Sequence, residues 1–470
     1  MKVDRPHAPP GAAPIEELEA FLAGHPEIVA FDIVLTDAHG IGRGKIVRRH
    51  ELAAIYKSGR HLPGSILALD VTGADVEETG LVWADGDADR RAWPIPGTLV
   101  PMPWTSPPRG QVLLALYELD GSPMPVDPRH ALAAQDALLR AADLAPVAAF
   151  ELEFYLFDRE RGPDGRPQPA RLPVTGERPV ASQVYRVEEL DRLEPFVDAV
   201  YRAAAAQGLP LETLISEYGL GQYELTLHHR AEALRAADDI VMLKRLVRGV
   251  AARHGMLASY MAKPLQDAAG SGMHIHASLA DDEGRNLFAD AAEPVEGDRT
   301  APLLRHAVGG LLATMQESML VFAPHLNSWR RFAAASYAPI APTWGTNNRS
   351  VAVRLPAGSG ASRHLEQRAA GVDANPYLVG AAVLAGIRRG VAGRIDPGPH
   401  VTGNGYAAPA SEALPMDWRG AIETAAGSDF LAEALGPRMR DVFVALKRAE
   451  YRRFMAEVTE QDYRLYLETV

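Results

Sequence analysis

Gly270-Ser-Gly-Met-His-Ile-His276 is the stretch from which the rest of the chain can be read. Residues two apart in a strand project from one face of a sheet, so His274 and His276 stand side by side, a ligand or catalytic arrangement. Gly270 and Gly272 carry no Cβ and let another group approach the backbone just before the strand, as a phosphate or a substrate carboxylate would require. One strand cannot close a site, so its partners come from elsewhere in the chain.

The first partners lie in Phe150-Glu-Leu-Glu-Phe154, where Glu151 and Glu153 share one face of a segment otherwise built of Val, Ala, Phe, Tyr and Leu. Paired carboxylates in an apolar strand repel and are poorly solvated, and a divalent cation is the natural remedy. Glu217-Tyr-Gly-Leu-Gly-Gln-Tyr-Glu224 sets two more glutamates across a Gly-bearing turn, with Glu224, Thr226 and His228 alternating along the strand that follows. Glu366 adds a carboxylate flanked by bases in Arg363-His-Leu-Glu-Gln-Arg368. Together these supply oxygen and nitrogen donors of the type that suits Mg²⁺ or Mn²⁺, and enough of them for more than one ion. Opposite charge gathers in Asn327-Ser-Trp-Arg-Arg331, Asn347-Asn-Arg349, Arg354 and Arg368. Guanidinium groups match phosphate and carboxylate bidentately, so metals on one side and arginines on the other form the arrangement expected for phosphoryl transfer.

Composition narrows the chemistry further. The 470 residues are 47% apolar, enough for a sizeable core and two domains. The net charge of -12 is spread among interspersed bases and acids, which excludes a nucleic-acid footprint and an electrostatic membrane anchor. No apolar run reaches bilayer length and the N-terminus lacks a signal-like core, so the expected location is cytoplasmic. There is no cysteine, which excludes thiolate metal sites, disulfides and thiol nucleophiles.

Hydrophobic spacing predicts a loose tail to about residue 13 and a helix over 15–22. A hairpin of strands over 28–36 and 41–47 follows, then a helix over 49–57 and a strand over 112–118. The domain boundary falls near Ser122, and Asp127-Pro128 opens a helix as cap and first position. Helices over 190–207, 231–254, 301–322, 377–389 and 437–458 then alternate with strands over 147–157, 223–227, 274–279, 351–355 and around Glu366, which argues for an antiparallel sheet backed by helices. The polar loop 159–179 is long enough to serve as a lid.

With these pieces assembled, the chain resembles the glutamine synthetase family from Ile15 to its last helix. The resemblance rests on Glu151-Leu-Glu153, Glu217 to Glu224, Lys263-Pro264 leading to Gly270–His276, Asn327–Arg331, Asn348-Arg-Ser350, and Arg368 followed by Asp373-Ala-Asn-Pro-Tyr377. It implies an α+β fold with an N-terminal β-grasp domain (15–120) and a C-terminal catalytic domain (123–470) holding a curved antiparallel sheet. It also implies a homo-oligomer, a dodecamer of two hexameric rings with active sites between subunits. The substrates implied are glutamate, ATP and an amine, with two or more Mg²⁺ or Mn²⁺ ions per site. By position, Glu153, Glu217 and Glu224 would hold one metal and Glu151, His274 and Glu366 the other. Glu212, His276, Ser278 and Arg354 would surround ATP. Arg331 would bind the α-carboxylate of glutamate, with Gly270 and Glu153 beside it. Arg349 would meet the transferred phosphoryl group and Arg368 the γ-carboxyl or phosphate.

Departures from the family pattern bear on the acceptor. Where glutamine synthetases carry Asp-Gly-Ser, this chain has Pro63-Gly-Ser65. Their flap glutamate is replaced by Tyr337 in Ser336-Tyr-Ala-Pro339, and Ala269 stands where Asn is usual. Ammonium leaving water needs anionic partners, so the loss of both acids disfavours ammonia. A larger amine gains apolar contact with Tyr337, Trp344 or Trp329. Pro63-Gly-Ser-Ile-Leu-Ala-Leu-Asp70 and Trp93-Pro-Ile-Pro-Gly-Thr98 are most similar to the γ-glutamylpolyamine (γ-glutamylputrescine) synthetase branch. That branch implies putrescine, spermidine or spermine as acceptor. A small monoamine such as ethanolamine or methylamine, ammonia itself, and a catalytically silent nitrogen-sensing or assembly protein stay as alternatives. The base that deprotonates the amine stays open between Tyr337, Glu366 and solvent. Tyr406 is expected to be an ordinary loop residue.

Overall fold

The chain turns first at Asp37, whose carboxylate accepts from the backbone N–H groups of His39 and Ile41, both at 2.9 Å. This turn joins Ala30–Thr36 (β1) to Gly42–Arg48 (β2), paired antiparallel with Ala30 opposite Arg48. The structure, a computed structural model, describes residues 8–182, 184–289, 300–408, 414–415 and 417–470. Arg60–Pro63 (β3), Asp89–Pro94 (β4), Val100–Met102 (β5) and Arg109–Tyr117 (β6) complete a six-stranded sheet of order β2-β1-β6-β4-β3, with β5 beside β6. Only β1 and β6 run parallel. The helix Arg49–Ser58 lays Leu52, Ile55 and Tyr56 into this sheet's core. The segment expected as a loose tail is pinned at its described end, where Ala13 N donates to Pro94 O at 2.8 Å.

The second sheet is built on Ala145–Asp158 (β7), long enough to pair with three strands. Leu211–Ser216 (β8), Gln222–Leu227 (β9), Met256–Ser259 (β10), Ile275–Ala280 (β11), Trp344–Thr346 (β12), Val353–Leu355 (β13) and Leu365–Gln367 (β14) surround it. The order is β12-β13-β14-β11-β7-β9-β8, with β10 on β7. All pairs are antiparallel except β12 with β13, a parallel edge that the alternation of helix and strand did not foretell. Helices cover one side. Pro302–Phe322 and Pro376–Gly393 cross so closely that a Cβ on Gly310 would lie 2.1 Å from Gly386 O, so only glycine fits there.

Three expectations are revised. The helix expected over 190–207 is two, Val187–Arg192 and Glu194–Ala206, because Pro195 cannot donate to the preceding turn and starts a new helix instead. The helices Trp418–Ala426 and Asp429–Leu435 were not foreseen. Both are short and start at side-chain caps, Asp417 and Ser428, rather than at a long apolar period. Loop 159–179 folds back along β7, with Ala170 N on Leu156 O at 3.0 Å and Leu172 buried. Among the described residues no helix is long and apolar enough to cross a membrane.

Candidate active site

Strand register gathers the charged side chains. Glu151 sits opposite Thr226 and Glu153 opposite Glu224 on the β7–β9 pair; His276 and Arg354 both sit opposite Glu366, across β11–β14 and β13–β14. With a side-chain period of two, these residues share one face of the curved sheet. His274 precedes β11 by one residue, yet its ring remains on that face: its Nδ1 lies 2.8 Å from Glu151 Oε2, and His276 Nε2 lies 2.8 Å from Glu151 Oε1. The two imidazoles thus share one carboxylate. Glu366, 1% exposed, accepts from Arg354 Nη1 at 2.8 Å and from Arg368. His364, which sequence reasoning passed over, stands 3.0 Å from His276 Nδ1; its signal was its spacing of two from Glu366.

Electrostatically the site has two halves. In one, burial raises the Glu153 carboxyl, with Glu217 next in effect, to about 7. Burial and then neighbouring carboxylates also raise Glu217 and lift Glu224 far above the ordinary range. Arg331 beside Glu153 and Arg349 and Arg368 beside Glu217 offset this rise only in part, so a cation would relieve both the desolvation of the three acids and their mutual repulsion. In the other half, burial also opposes ionisation, but His276 and His274 hold Glu151 well below its usual range, and Arg368 leads the groups that hold Glu366 down at about 2. Ligand atoms of Glu151, His276 and Glu366 lie within 4.8 Å of one another. His276, expected beside ATP, thus stands close enough to join this group, while His274, the histidine the family pattern suggested, has its Nδ1 2.8 Å from Glu151 Oε2 and 3.4 Å from Glu366 Oε1. The donor set, carboxylate oxygen and imidazole nitrogen, fits Mg²⁺ or Mn²⁺.

The glycine loop serves a different neighbour from the one expected. A Cβ on Gly270 would fall 2.7 Å from Arg331 Cγ, and one on Gly272 would fall 2.8 Å from both Arg331 Nη2 and His274 Nε2. The glycines therefore admit the buried Arg331 side chain rather than a ligand directly. Arg331 donates to Ala369 O at 2.8 Å and Arg368 O at 3.1 Å, which leaves the rest of its five N–H groups for a substrate anion. Tyr155 OH donates to Ala269 O at 2.6 Å, and Gln222 Nε2 donates to Gly270 O at 3.0 Å and Ser271 Oγ at 3.1 Å. Sequence reasoning missed both anchors. Their signal was polar atoms in apolar strands, two residues from Glu153 and Glu224.

A cavity of about 460 Å³ opens beside this face, lined among others by Ala149, Glu212, His228, His276, Ser278 and His364. Glu212 Oε1 stands 2.8 Å from His228 Nδ1. Arg354 is outside the lining, with its Nη1 on Glu366 and its Nη2 3.5 Å from Asn347 Oδ1. Arg349 is exposed, and its charge partly offsets the rise at Glu217. Tyr337 is half exposed and stacks on Tyr218, with ring centroids 5.5 Å apart at 27°. Trp344 is 1% exposed, with Nε1 donating to Gly398 O at 3.1 Å, so it cannot meet an acceptor as expected. Trp329 is partly buried and packs on Phe332. Tyr406 OH donates to Ala338 O at 3.3 Å, beside the flap.

Comparison with known proteins adds three findings. The family described as glutamine synthetase, catalytic domain, matches residues 125–466. Gamma-glutamylputrescine synthetase PuuA of Escherichia coli is 39% identical over 454 residues, spanning 96% of this chain and 94% of its own. Gamma-glutamylethanolamide synthetase GlnA4 of Streptomyces coelicolor is 31% identical, over 96% of this chain and 95% of its own; a glutamate–isopropylamine ligase from a Pseudomonas species is 31% identical, over 83% of each. Among solved structures, an ADP complex of GmaS superposes with a TM-score of 0.81 at 29% identity, covering 96% of this chain and 99% of that one.

Proposed function

The chain belongs to the glutamine synthetase family, and we propose that it joins the γ-carboxylate of glutamate to a primary amine at the expense of ATP, with a polyamine such as putrescine as the favoured acceptor. The observation that carries this reading is the set of half-buried carboxylates Glu153, Glu217 and Glu224, all pushed up and only partly offset by arginines, on a face that also holds the buried Arg331 and Arg368. Bound Mg²⁺ or Mn²⁺ would supply Lewis-acid charge to the phosphates from Glu153, Glu217 and Glu224 and from Glu151, Glu366 and a histidine, His274 or His276. The cavity beside Ser278, Glu212 and His276 takes the nucleotide.

A γ-carboxylate oxygen of glutamate attacks the γ-phosphorus, the bond to ADP breaks, and an acyl phosphate forms. The amine nitrogen then attacks the acyl carbon and phosphate leaves, which splits one difficult condensation into two easier steps. Arg331 and the Gly270 loop hold the α-carboxylate, while Arg349 and Arg368 neutralise the charge on the transferred group. Arg354 holds Glu366 through Nη1, leaving its remaining N–H groups for the nucleotide. Deprotonation of the amine falls to Tyr337, to Glu366 or to solvent. With Pro63 and Tyr337 at positions that hold acids in ammonia-using relatives, a bare ammonium finds no anionic cradle at either.

The same reading divides the chain into a β-grasp domain, 15–120, and a catalytic domain, 123–470, in a cytoplasmic dodecamer whose active sites lie between subunits. A small monoamine as acceptor is the second reading, favoured by the ethanolamide and isopropylamine relatives. Phosphate release with glutamate, ATP and a panel of ammonium, methylamine, ethanolamine, putrescine, spermidine and spermine tests both. The expected result is the highest kcat/KM with a polyamine; ammonium matching every organic amine would overturn the acceptor assignment.

A further inference from the structure

Three tyrosines stand exposed around Glu217: Tyr185 at 57%, Tyr218 at 52% and Tyr337 at 48%. They come from three separate segments, so no periodicity links them. Tyr218 directly follows Glu217 in the acidic half of the site, and Tyr337 stacks against it from the flap. Tyr185 is tied in by its backbone N–H, which donates to Ser216 O at 3.0 Å, one residue before Glu217.

The backbone supporting these rings is unusual. Tyr185 has φ of 62° and Tyr337 of 59°, with Ala335 at 60° beside it. Bulky L-residues avoid this left-handed region, and such conformations persist only where the surroundings over-determine them, as at ligand clamps. The flap is held in this way. Ser336 Oγ donates to Ala333 O at 2.6 Å and accepts from Ala338 N at 3.3 Å, while Tyr406 OH donates to Ala338 O. These bonds fix a turn whose main product is an aromatic ring held out at the mouth of the site.

A stacked pair with its remaining surface exposed offers an apolar wall for methylene groups and π faces for a cation. A carboxylate at the flap would suit a bare ammonium; rings suit an alkylammonium, whose hydration shell is weaker and whose chain gains from burial.

We propose that Tyr218, Tyr337 and Tyr185 form an aromatic clamp that selects linear diamines: the methylene chain lies along the Tyr218–Tyr337 pair and the distal ammonium rests on a ring face while the near amine reacts. The clamp rests on the amine-ligase reading and goes beyond it by assigning acceptor selection to Tyr218, a residue of the metal-binding turn rather than of the flap.

The test is the ratio of kcat/KM for putrescine to that for methylamine, with KM for glutamate measured alongside. In Tyr218→Leu the ratio should fall by about tenfold or more. In Tyr218→Phe, which keeps the ring, it should stay within about threefold of the wild type. Tyr185→Leu should lower the ratio in the same direction, and serves as the second variant because it lies outside both the metal-binding turn and the flap. An unchanged ratio in Tyr218→Leu, or an equal loss for both amines together with a raised KM for glutamate, overturns the clamp. A wild-type enzyme that uses no organic amine would instead overturn the ligase reading itself, so the two failures are distinguishable.

Discussion

At the scale of single residues, the site stores repulsion that only a cation relieves. Glu224 lies opposite Glu153 in the β7–β9 ladder, and both carboxyls are pushed up by burial and by neighbouring acids. Without metal, these groups work against folding; under the proposed reading a bound metal would take them as ligands. Replacing Glu224 by Gln removes, at nearly constant shape, a carboxylate that must take up a proton or bear its neighbours' repulsion when the chain folds. The metal-free protein should therefore gain on the order of 1 kcal/mol in stability. It should also lose most of the Mg²⁺-induced rise in Tm, and its phosphate release should fall by about a hundredfold or more. Differential scanning fluorimetry with and without Mg²⁺ reads the first two effects. A variant destabilised without metal, or one with an undiminished Mg²⁺ shift, would show that Glu224 is not a ligand.

At the scale of elements, the loop Gly270–Gly272 is a socket whose dimensions are set by Arg331. Gly272→Ala forces its Cβ to within 2.8 Å of both Arg331 Nη2 and His274 Nε2, so the guanidinium must retreat from the site. KM for glutamate should rise at least about tenfold while the affinity for ATP, measured by calorimetry, changes less than about threefold. Equal losses for both ligands would mean that the loop supports the whole sheet rather than Arg331. This socket also marks how far the sequence could be read. The two glycines announced a close approach, but nothing in one strand says which distant side chain makes it. Alternation by two foretold that Glu151 shares a face with Glu153 and His274 with His276, because a strand's period is fixed by its backbone, whereas strand pairing brought the two pairs and Glu366 together. The parallel β12–β13 edge and the Tyr218–Tyr337 stack were not legible, since each depends on how separate segments pack. Short capped helices such as Asp429–Leu435 escape for another reason: seven residues carry too little apolar period to stand out.

At the scale of the molecule, a buried charge ties the N-terminal segment to the last long helix. Glu450, on the helix Pro437–Ala456, is 1% exposed; its Oε1 lies 2.5 Å from His39 Nε2 and accepts from Val71 N at 2.9 Å, and its Oε2 accepts from Lys447 Nζ at 3.0 Å. His39 and Val71 belong to the N-terminal segment, so this carboxylate fastens it to the last long helix. His39 also stacks on His325 at 5.6 Å, and His325 N donates to Ser328 Oγ, which donates to Asp373 at 2.7 Å, three residues from Arg331. Burial opposes ionisation of Glu450, but Lys447 and then His39 outweigh it and hold the carboxyl far below its usual range. In the unfolded chain the group takes up a proton at the ordinary glutamate value, so this stabilisation is present above about pH 4.5 and is lost as the pH falls below it. Glu450→Ala removes that acid-dependent contribution and strands Lys447, costing about 3 to 5 kcal/mol at neutral pH. Glu450→Met with Lys447→Met replaces the pair by apolar volume and should recover most of the loss. Urea denaturation at two pH values separates these outcomes: the wild type should weaken on acidification more than Glu450→Ala, and the double variant should be the more stable of the two mutants. If the double variant is no better than the single one, the cost lies in lost packing rather than in the stranded ammonium, and the carboxylate is not what fastens the N-terminal segment to the helix.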